Sequence, residues 1–399
     1  LKAADYGKCT LSSSAFVATN SICQGQQVSV LWPEIFSTGV EISFAYTSFK
    51  WANLASHNAG VTVVIVGIST APRATRRLYF TMGDGSVECK QVDNINAYLV
   101  AAPNIEVQPA SKPINKLAPM NFGNHPYYAR ALILSNDEVN HLIAESPEAR
   151  RFIRPLYGSK EFIDAAPRGC LWITDQEAEY ALSIPTIADR VNNVACARRA
   201  VHKDASAQKL AESPWRFREQ VSGSRHVLIV PRVSSENRSY LPVGLLTPNC
   251  VVQEKAFALY DAPLWNLALI ASRLHLVWIA TVCARMRTDF SYSNTLGWNT
   301  FPIPILTDKN ISDLTRSAED ILVAREHHFP ATIAELYDPD GMPTDLRAAH
   351  DRNDEVLERI YIGRRFRNDT ERLEKLFDLY AKMRESACMP KGKRPKKGA

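Results

Sequence analysis

The chain has 399 residues, 46% hydrophobic and 22% charged, the profile of an ordinary soluble protein long enough for two or three domains. Its net charge of +5 is carried by the last nine residues, KGKRPKKGA, so an evenly basic nucleic-acid binder is excluded and any DNA-binding surface must be a local patch. Eight cysteines without a C-x-x-C pair, and histidines without helical partners, argue against a disulfide framework and a zinc site.

In chain order, LKAADYGK reads as the end of a helix and AFVATNSICQG as a buried strand running into a polar loop. QQVSVLWPEIF is a helix beginning after Gly25. VEISFAYTSF alternates like a strand, with Val40, Ile42, Phe44 and Tyr46 on one face, and GVTVVIVGIS is an apolar strand buried on both faces. Together these form half of a doubly wound sheet that begins in mid-domain, without the glycine loop that follows the first strand of such folds. Prolines 103, 109, 113 and 119 mark an irregular connection. SNDEVNHLIAE opens a helix with Ser135 and Glu138 as a capping box. GCLWIT is a strand and IPTIADRVNNVACARRAVHK a helix; HVLIVPRV and SYLPVGLL are strands joined by SSENR. The apolar run from Pro263 to Cys283 holds Arg273 and His275, costly in lipid, and reads as a buried helix. Beyond residue 305 the chain is helical. In NDTERLEKLFDLYAKM a stripe of Leu373, Leu376, Phe377 and Tyr380 accompanies an Asn368–Glu371 capping box and a Glu371–Lys375 pair.

Two stretches point to chemistry. In FAYTSFKW (44–51), placed on the loop between two strands, Lys50 can neutralise a phosphate while Phe49 or Trp51 offers a flat face for a base; the same residues can equally close the edge of a core. In PRVSSENRSY (231–240), Arg232, Glu236 and Arg238 crowd a short loop between two strands. Arginine reads guanine bidentately and glutamate accepts from cytosine N4, although a solvated hairpin tip carries the same charges. Arg151, Arg154 and Lys160, with Arg198 and Arg199, suit phosphate contacts. NHPYY (124–128) resembles the Asn-Pro-Pro-Tyr tetrad of adenine methyltransferases but has His125 for the first proline, and reads as structural; YDPDGMPTDLR (337–347) lacks the lysine of a nuclease metal site.

Taken in order, ATNSICQGQQVSVLWPEIF, EISFAYTSFKWANLASHNAGVTVVIVG, FIRPLYGSKEFIDAAPRGCLWITD, DFSYSNTLGWNTFPIP and IAELYDPDGMPTDLRAAHDRNDEVLERIY resemble the large YeeA-like and MmeI-like type IIG DNA methyltransferases. The resemblance implies an α/β and α+β multidomain protein. Residues 1–75 would be the C-terminal part of a Rossmann-like methyltransferase sheet, 76–305 a mixed α/β target-recognition domain, 306–390 a helical C-terminal domain and 391–399 a basic disordered tail. It also implies a cytoplasmic bacterial enzyme of a restriction-modification or phage-defence system, using S-adenosylmethionine to methylate adenine N6 in double-stranded DNA, with no membrane partner. The cofactor loop and catalytic tetrad of the family precede ATNSICQG, so the chain is expected to be an inactive C-terminal portion that works with the missing N-terminal part. In that frame Phe49, Lys50 and Trp51 would line the pocket for the flipped adenine. Glu236 and Arg238, then Arg232 and Asn237, would read base edges. The rival expectation is a non-enzymatic DNA-specificity module acting with partner subunits.

Overall fold

The structure is a computed structural model that describes residues 1–51, 61–70, 75–81, 85–286 and 289–388. The basic tail expected at 391–399 lies outside the described residues. The chain forms two compact units: one of Leu1–Leu117, Arg273–Ile311 and the residues from Asp354 on, the other of Ala118–Ser272 and Ser312–Asn353.

The N-terminal segment runs α1 (Lys2–Thr10), β1 (Ser13–Thr19), α2 (Gln26–Phe36), β2 (Glu41–Lys50), β3 (Thr62–Ser69), β4 (Arg76–Thr81) and β5 (Val87–Val92). Gly25, at φ 58°, lets α2 start abruptly, and Trp32 of that helix donates from Nε1 to the Ile22 carbonyl at 2.7 Å. The strands stand in the order β1-β3-β2-β4-β5. β3 is antiparallel to both β1 and β2, so those two run the same way, with α2 as their crossover. The result is a mixed sheet in which antiparallel β3 is inserted between the two strands that the helix connects. β4 pairs in parallel with β2, and its Leu78 is buried, so the sheet continues through Val92, past the boundary expected near residue 75.

Two details differ from the periodicity. β1 is an edge strand paired on one side only, and leaves Phe16 and Val17 exposed where a buried strand was expected. β2 carries two register shifts against β3, between Ile42 and Phe44 and between Tyr46 and Phe49. The first separates Ile42, wholly buried, from Phe44, so the four apolar residues do not share one face. Phe44 covers Gly67 so closely that a Cβ there would lie 2.1 Å from its ring.

The middle of the chain supplies β6 (Asn121–Phe122), β7 (Ile133–Leu134), α3 (Asn136–Glu145), β8 (Ile153–Tyr157), α4 (Ser159–Ile163), β9 (Arg168–Leu171), α5 (Ala178–Leu182), α6 (Pro185–Arg199), α7 (Ala205–Leu210), β10 (Val227–Pro231), β11 (Val233–Ser234), β12 (Gly244–Leu246), β13 (Val251–Val252), β14 (Ala256–Tyr260) and α8 (Trp265–Ile270). Two four-stranded sheets result, β12-β10-β14-β6 and β13-β8-β9-β7. The larger core gathers Leu134, Phe152, Leu171, Trp172, Val191 and Phe217. Ser135 and Glu138 form the expected capping box on α3; the Ser135 amide, helped by Arg190, holds the Glu138 carboxyl down at about 2. The SYLPVGLL strand is shorter than expected: only Gly244–Leu246 is extended in the sheet, because Pro242 has no N–H to donate.

Arg198, expected on an exposed helix face, is wholly buried at the end of α6. Nε donates to the Tyr127 carbonyl at 3.1 Å; Nη1 reaches the carbonyls of Leu210, Ser213 and Pro214; Nη2 those of Pro126 and Arg216. Burial lowers its pKa only to about 10, so it stays charged at neutral pH. NHPYY is thereby given a structural role: Pro126 and Tyr127 bind Arg198, Tyr127 donates to Asp204 at 2.6 Å, and Tyr127 and Tyr128 hold left-handed φ of 48° and 64°.

The remainder comprises α9 (Arg273–Val282), the hairpin β15 (Ala284–Met286) and β16 (Asp289–Ser291), then α10 (Asp308–Glu326), α11 (Ile333–Leu336), α12 (Thr344–Ile362) and α13 (Asp369–Cys388). The apolar run at 263–283 is therefore two helices, α8 and α9. The break falls where Arg273 must leave apolar surroundings: its N–H donates to Asp354 at 2.8 Å and its guanidinium pairs with Asp369. On α13, Leu376, Phe377 and Tyr380 are buried as expected, with Trp278 of α9 against Phe377 and Tyr380. Asn368 caps the Glu371 amide, but the Glu371 carboxylate pairs with Arg364 and Arg367 instead of Lys375. No helix among the described residues is long and apolar enough to cross a membrane.

Two buried histidines are held neutral. His275 bonds the Tyr292 hydroxyl at 2.8 Å and His350 that of Tyr337 at 2.8 Å, and burial draws both pKa values from 6.5 to about 3. Because the folded pKa lies below the unfolded one, their stabilisation is complete above pH 6.5 and is lost as pH falls towards 3. Urea titrations between pH 7 and 5.5, above most of the carboxylate range, should show stability falling with pH, with a shallower slope in His350→Gln; equal slopes would refute the assignment. Arg198→Lys, which keeps the charge but cannot span six carbonyls, should cost about 3 kcal/mol or more in the same titration. An unchanged midpoint would remove Arg198 from its structural role.

Candidate nucleic-acid interface

In the first unit the aromatic octet ends a strand. Phe49 and Lys50 are the last residues of β2, paired with Val63 and Thr62, and Trp51 follows with its N–H on the Val61 carbonyl at 2.8 Å. They are thus part of the ladder and not of a free loop; residues 52–60 lie outside the described residues. Four residues of β2, Tyr46 to Phe49, stand opposite three on β3, Ile65 to Val63. An unbulged strand would point Tyr46 and Phe49 to opposite faces. The extra residue brings them to the same one, where the rings meet edge-on at 4.9 Å. Trp51 lies 6.4 Å from Phe49, and Tyr79 of β4 lies parallel to Tyr46 at 6.2 Å. Trp51 is 42% exposed, Lys50 is exposed and Phe49 is half-buried.

The result is a row of aromatic rings on one face of the sheet, with exposed Lys50 next to Phe49 in sequence and, by strand alternation, on the other face. Beside it Ser43, Phe44, Tyr46, Ile65, Arg77 and Tyr79 line a depression of about 450 Å³, within the range of small-ligand sites. Flat faces, hydroxyls and a guanidinium suit a base and its phosphate. Tyr46 was legible as a strand residue but not as part of this row, because the bulge that sets its facing has no composition signal; Tyr79 reaches it only through the β2–β4 pairing.

In the second unit the residues of SSENR form a turn after β11. The Arg238 N–H donates to the Ser235 carbonyl at 3.3 Å, the Asn237 N–H to Ser235 Oγ at 3.3 Å, and Arg238 Nη1 to Ser234 Oγ at 3.4 Å. Asn237 is exposed, and Glu236 and Arg238 are partly exposed. Arg232 is placed differently from its three companions. Its guanidinium lies over Phe122 and Phe257, at 5.0 and 5.6 Å from the ring centres, and donates to the Glu254 carbonyl at 3.0 Å. It anchors the entry to the turn.

Among the residues expected on DNA phosphates, Lys160 and Arg199 are exposed. Arg151 pairs with Glu177 at 3.2 Å and covers Phe152 and Tyr180, and Arg154 lies over Trp172 at 5.5 Å. Arg198 has its five N–H groups directed at six carbonyls and is withdrawn from that set. Nothing among the described residues gathers three metal-ligating side chains. In the segment 337–347, Asp338 accepts from the amides of Asp340 and Gly341, and Asp345 pairs with His328 at 2.8 Å. The thiols of Cys23, Cys170 and Cys283 are buried and pushed up to about 12, unsuited to nucleophilic work.

Residues 1–80 match the model of the MmeI DNA-methyltransferase domain, 101–305 that of the MmeI target recognition domain and 306–387 that of the MmeI C-terminal domain. DNA methyltransferase A of Bacillus subtilis (strain 168) is 39% identical over 382 residues, which are 96% of this chain and 43% of that protein. The solved type IIL restriction-modification enzyme MmeI, in complex with DNA, aligns with a TM-score of 0.81 and 30% identity, over 96% of this chain and 51% of that one. The chain therefore spans about half the length of the relatives it matches. It belongs to the MmeI family, carrying in succession sequence of the DNA-methyltransferase, target recognition and C-terminal domains.

Proposed function

We propose that this chain is the DNA-recognising part of an S-adenosylmethionine-dependent DNA adenine-N6 methyltransferase of a restriction-modification or phage-defence system. One observation carries the reading: a β-bulge in the methyltransferase segment turns Phe49 onto the same face as Tyr46, beside exposed Lys50 and Trp51. A flipped base needs a flat partner and a nearby cation for its phosphate, and a sheet end holds both at fixed positions. Phe49 or Trp51 stacks on the extruded adenine, and Lys50 takes the adjoining phosphate.

In the recognition segment the turn at 235–238 enters the major groove, where Glu236 accepts from a cytosine amine and Arg238 donates to guanine, with Asn237 beside them. Arg232 supports the turn from below. Lys160 and Arg199, with Arg151 and Arg154 at a cost to their present contacts, neutralise phosphates. S-adenosylmethionine supplies the methyl group. The chain alone transfers no methyl group, and its place is the bacterial cytoplasm.

The test is transfer of labelled methyl from S-adenosylmethionine to DNA by the full-length polypeptide, followed by mapping of modified adenines. N6-methyladenine in one short motif is the expected result; binding to DNA without transfer would favour a specificity module instead. Replacement of the stacking ring, Phe49→Ala or Trp51→Ala, should lower kcat/KM by about 10- to 100-fold, as loss of one base–aromatic stack does. If both variants keep full activity, the aromatic row is only the edge of a core.

A further inference from the structure

The turn at 235–238 is tied at its far end to helices more than eighty residues away in sequence, all within the second unit. Tyr240, two residues after Arg238, is buried and stacks on His350 of α12 with ring centres 4.1 Å apart and planes 18° from parallel. Its hydroxyl donates to Asp351 at 3.0 Å. Three residues on, the Val243 carbonyl accepts from Arg325 Nη1 of α10 at 2.6 Å.

Arg325, Tyr337 and His350 are themselves joined. Arg325 donates from Nε to the Tyr337 hydroxyl at 2.9 Å, that hydroxyl meets His350 Nε2 at 2.8 Å, and His350 Nδ1 meets the Ala271 carbonyl at 3.0 Å. The direction of the chain follows from its ends. Arginine can only donate and a carbonyl can only accept, so the Tyr337 hydroxyl donates to Nε2 and Nδ1–H faces Ala271. One tautomer of a neutral imidazole satisfies every link, so the ring has one orientation in which to meet Tyr240. At the other end of the turn, Arg232 is fixed by its contacts with Phe122, Phe257 and Glu254, and its N–H donates to Ser159 Oγ at 3.1 Å.

We infer that Arg325, Tyr337 and His350, acting through Tyr240 and Val243, are positioning residues for base recognition: they set the height and direction at which the 235–238 turn presents Glu236 and Arg238. This rests on the assignment of that turn to base readout. The helical C-terminal segment then contributes to sequence discrimination without touching DNA. A bidentate contact is sensitive to displacements well under an ångström, so loosening one end of the turn degrades discrimination before it prevents binding.

The experiment uses the full-length polypeptide and compares its modified motif, and its KM and kcat on DNA carrying the motif or single-base variants of it, with those of Tyr337→Phe, Tyr240→Leu and Tyr240→Phe. Tyr337→Phe interrupts the chain of hydrogen bonds; Tyr240→Leu removes the stack, and Tyr240→Phe keeps it. The expected result for the first two is a KM for DNA raised about fivefold at nearly unchanged kcat, and a penalty against single-base variants reduced about tenfold. Tyr240→Phe should keep most of the discrimination, a rescue that a general loss of stability would not produce. A charge exchange, Glu236→Arg with Arg238→Glu, runs alongside. If the exchange moves the motif while Tyr337→Phe and Tyr240→Leu discriminate like the parent, the positioning inference alone is overturned. If the exchange leaves the motif in place, the readout assignment falls and this inference with it. Should Tyr337→Phe fail to fold, the Tyr240 pair decides.

Discussion

The second unit depends on satisfying backbone carbonyls that no regular ladder can reach. None of its described strands exceeds five residues, and long stretches such as 211–226 and 235–243 are irregular. A buried carbonyl without a donor costs about as much as a lost hydrogen bond, so this architecture needs donors supplied from side chains. Arg198 is the extreme case, a wholly buried cation whose partners are carbonyls and not a carboxylate. The arrangement gathers residues 126–127 and 210–216 around one planar group, and the spread of oxygen dipoles offsets the desolvation that one carboxylate would otherwise have to balance.

The same device recurs at smaller scale. Asn124 donates to the Val221 and Val252 carbonyls and accepts from the Val221 N–H at 2.7 Å, tying β6 to the 221 loop. Asn353 donates to Ala268 and His350 faces Ala271, both at the end of α8. Gln208 reaches the carbonyls of Arg198, Arg199 and Val201 after α6. Each fixes an irregular segment from the inside.

This explains what was legible from the amino-acid sequence and what was not. Local signals worked where the structure is local: Gly25 before α2, the Ser135–Glu138 box, the apolar β3, the buried stripe of α13. Period-two reading failed on β2, because a bulge changes facing without changing composition, and Ile42 and Phe44 parted company. It failed on β1 because burial of a strand depends on its neighbours in the sheet. Arg198 and Arg199 are adjacent and chemically identical, yet one is buried and the other exposed. Only the direction of each side chain from α6 separates them, and that direction is set by where Pro126 and Pro214 come to lie. For the candidate site, the segments 44–51 and 231–240 could be picked out, whereas the role of Arg232 as an anchor and the partnership of Tyr240 with His350 required the fold.

In the proposed reading, the two candidate surfaces apply one physical logic to different tasks. A stacking face must be rigid but indifferent to base identity at its edges, so aromatic rings on a paired strand end suffice, and a bulge is the cheapest way to add one more ring to a face. A reading surface must be rigid and also changeable, and no strand offers that, since each substitution there disturbs a ladder or a core. A turn of four residues, held by Arg232 on one side and by Tyr240 and Val243 on the other, separates the two requirements. Order is imposed at the anchors, where Tyr240 is buried and Arg232 is held between two rings, while Glu236, Asn237 and Arg238 remain at least partly exposed at the turn. The entropic cost of ordering a flexible loop on binding is thereby met in advance, during folding, by contacts that never meet the ligand.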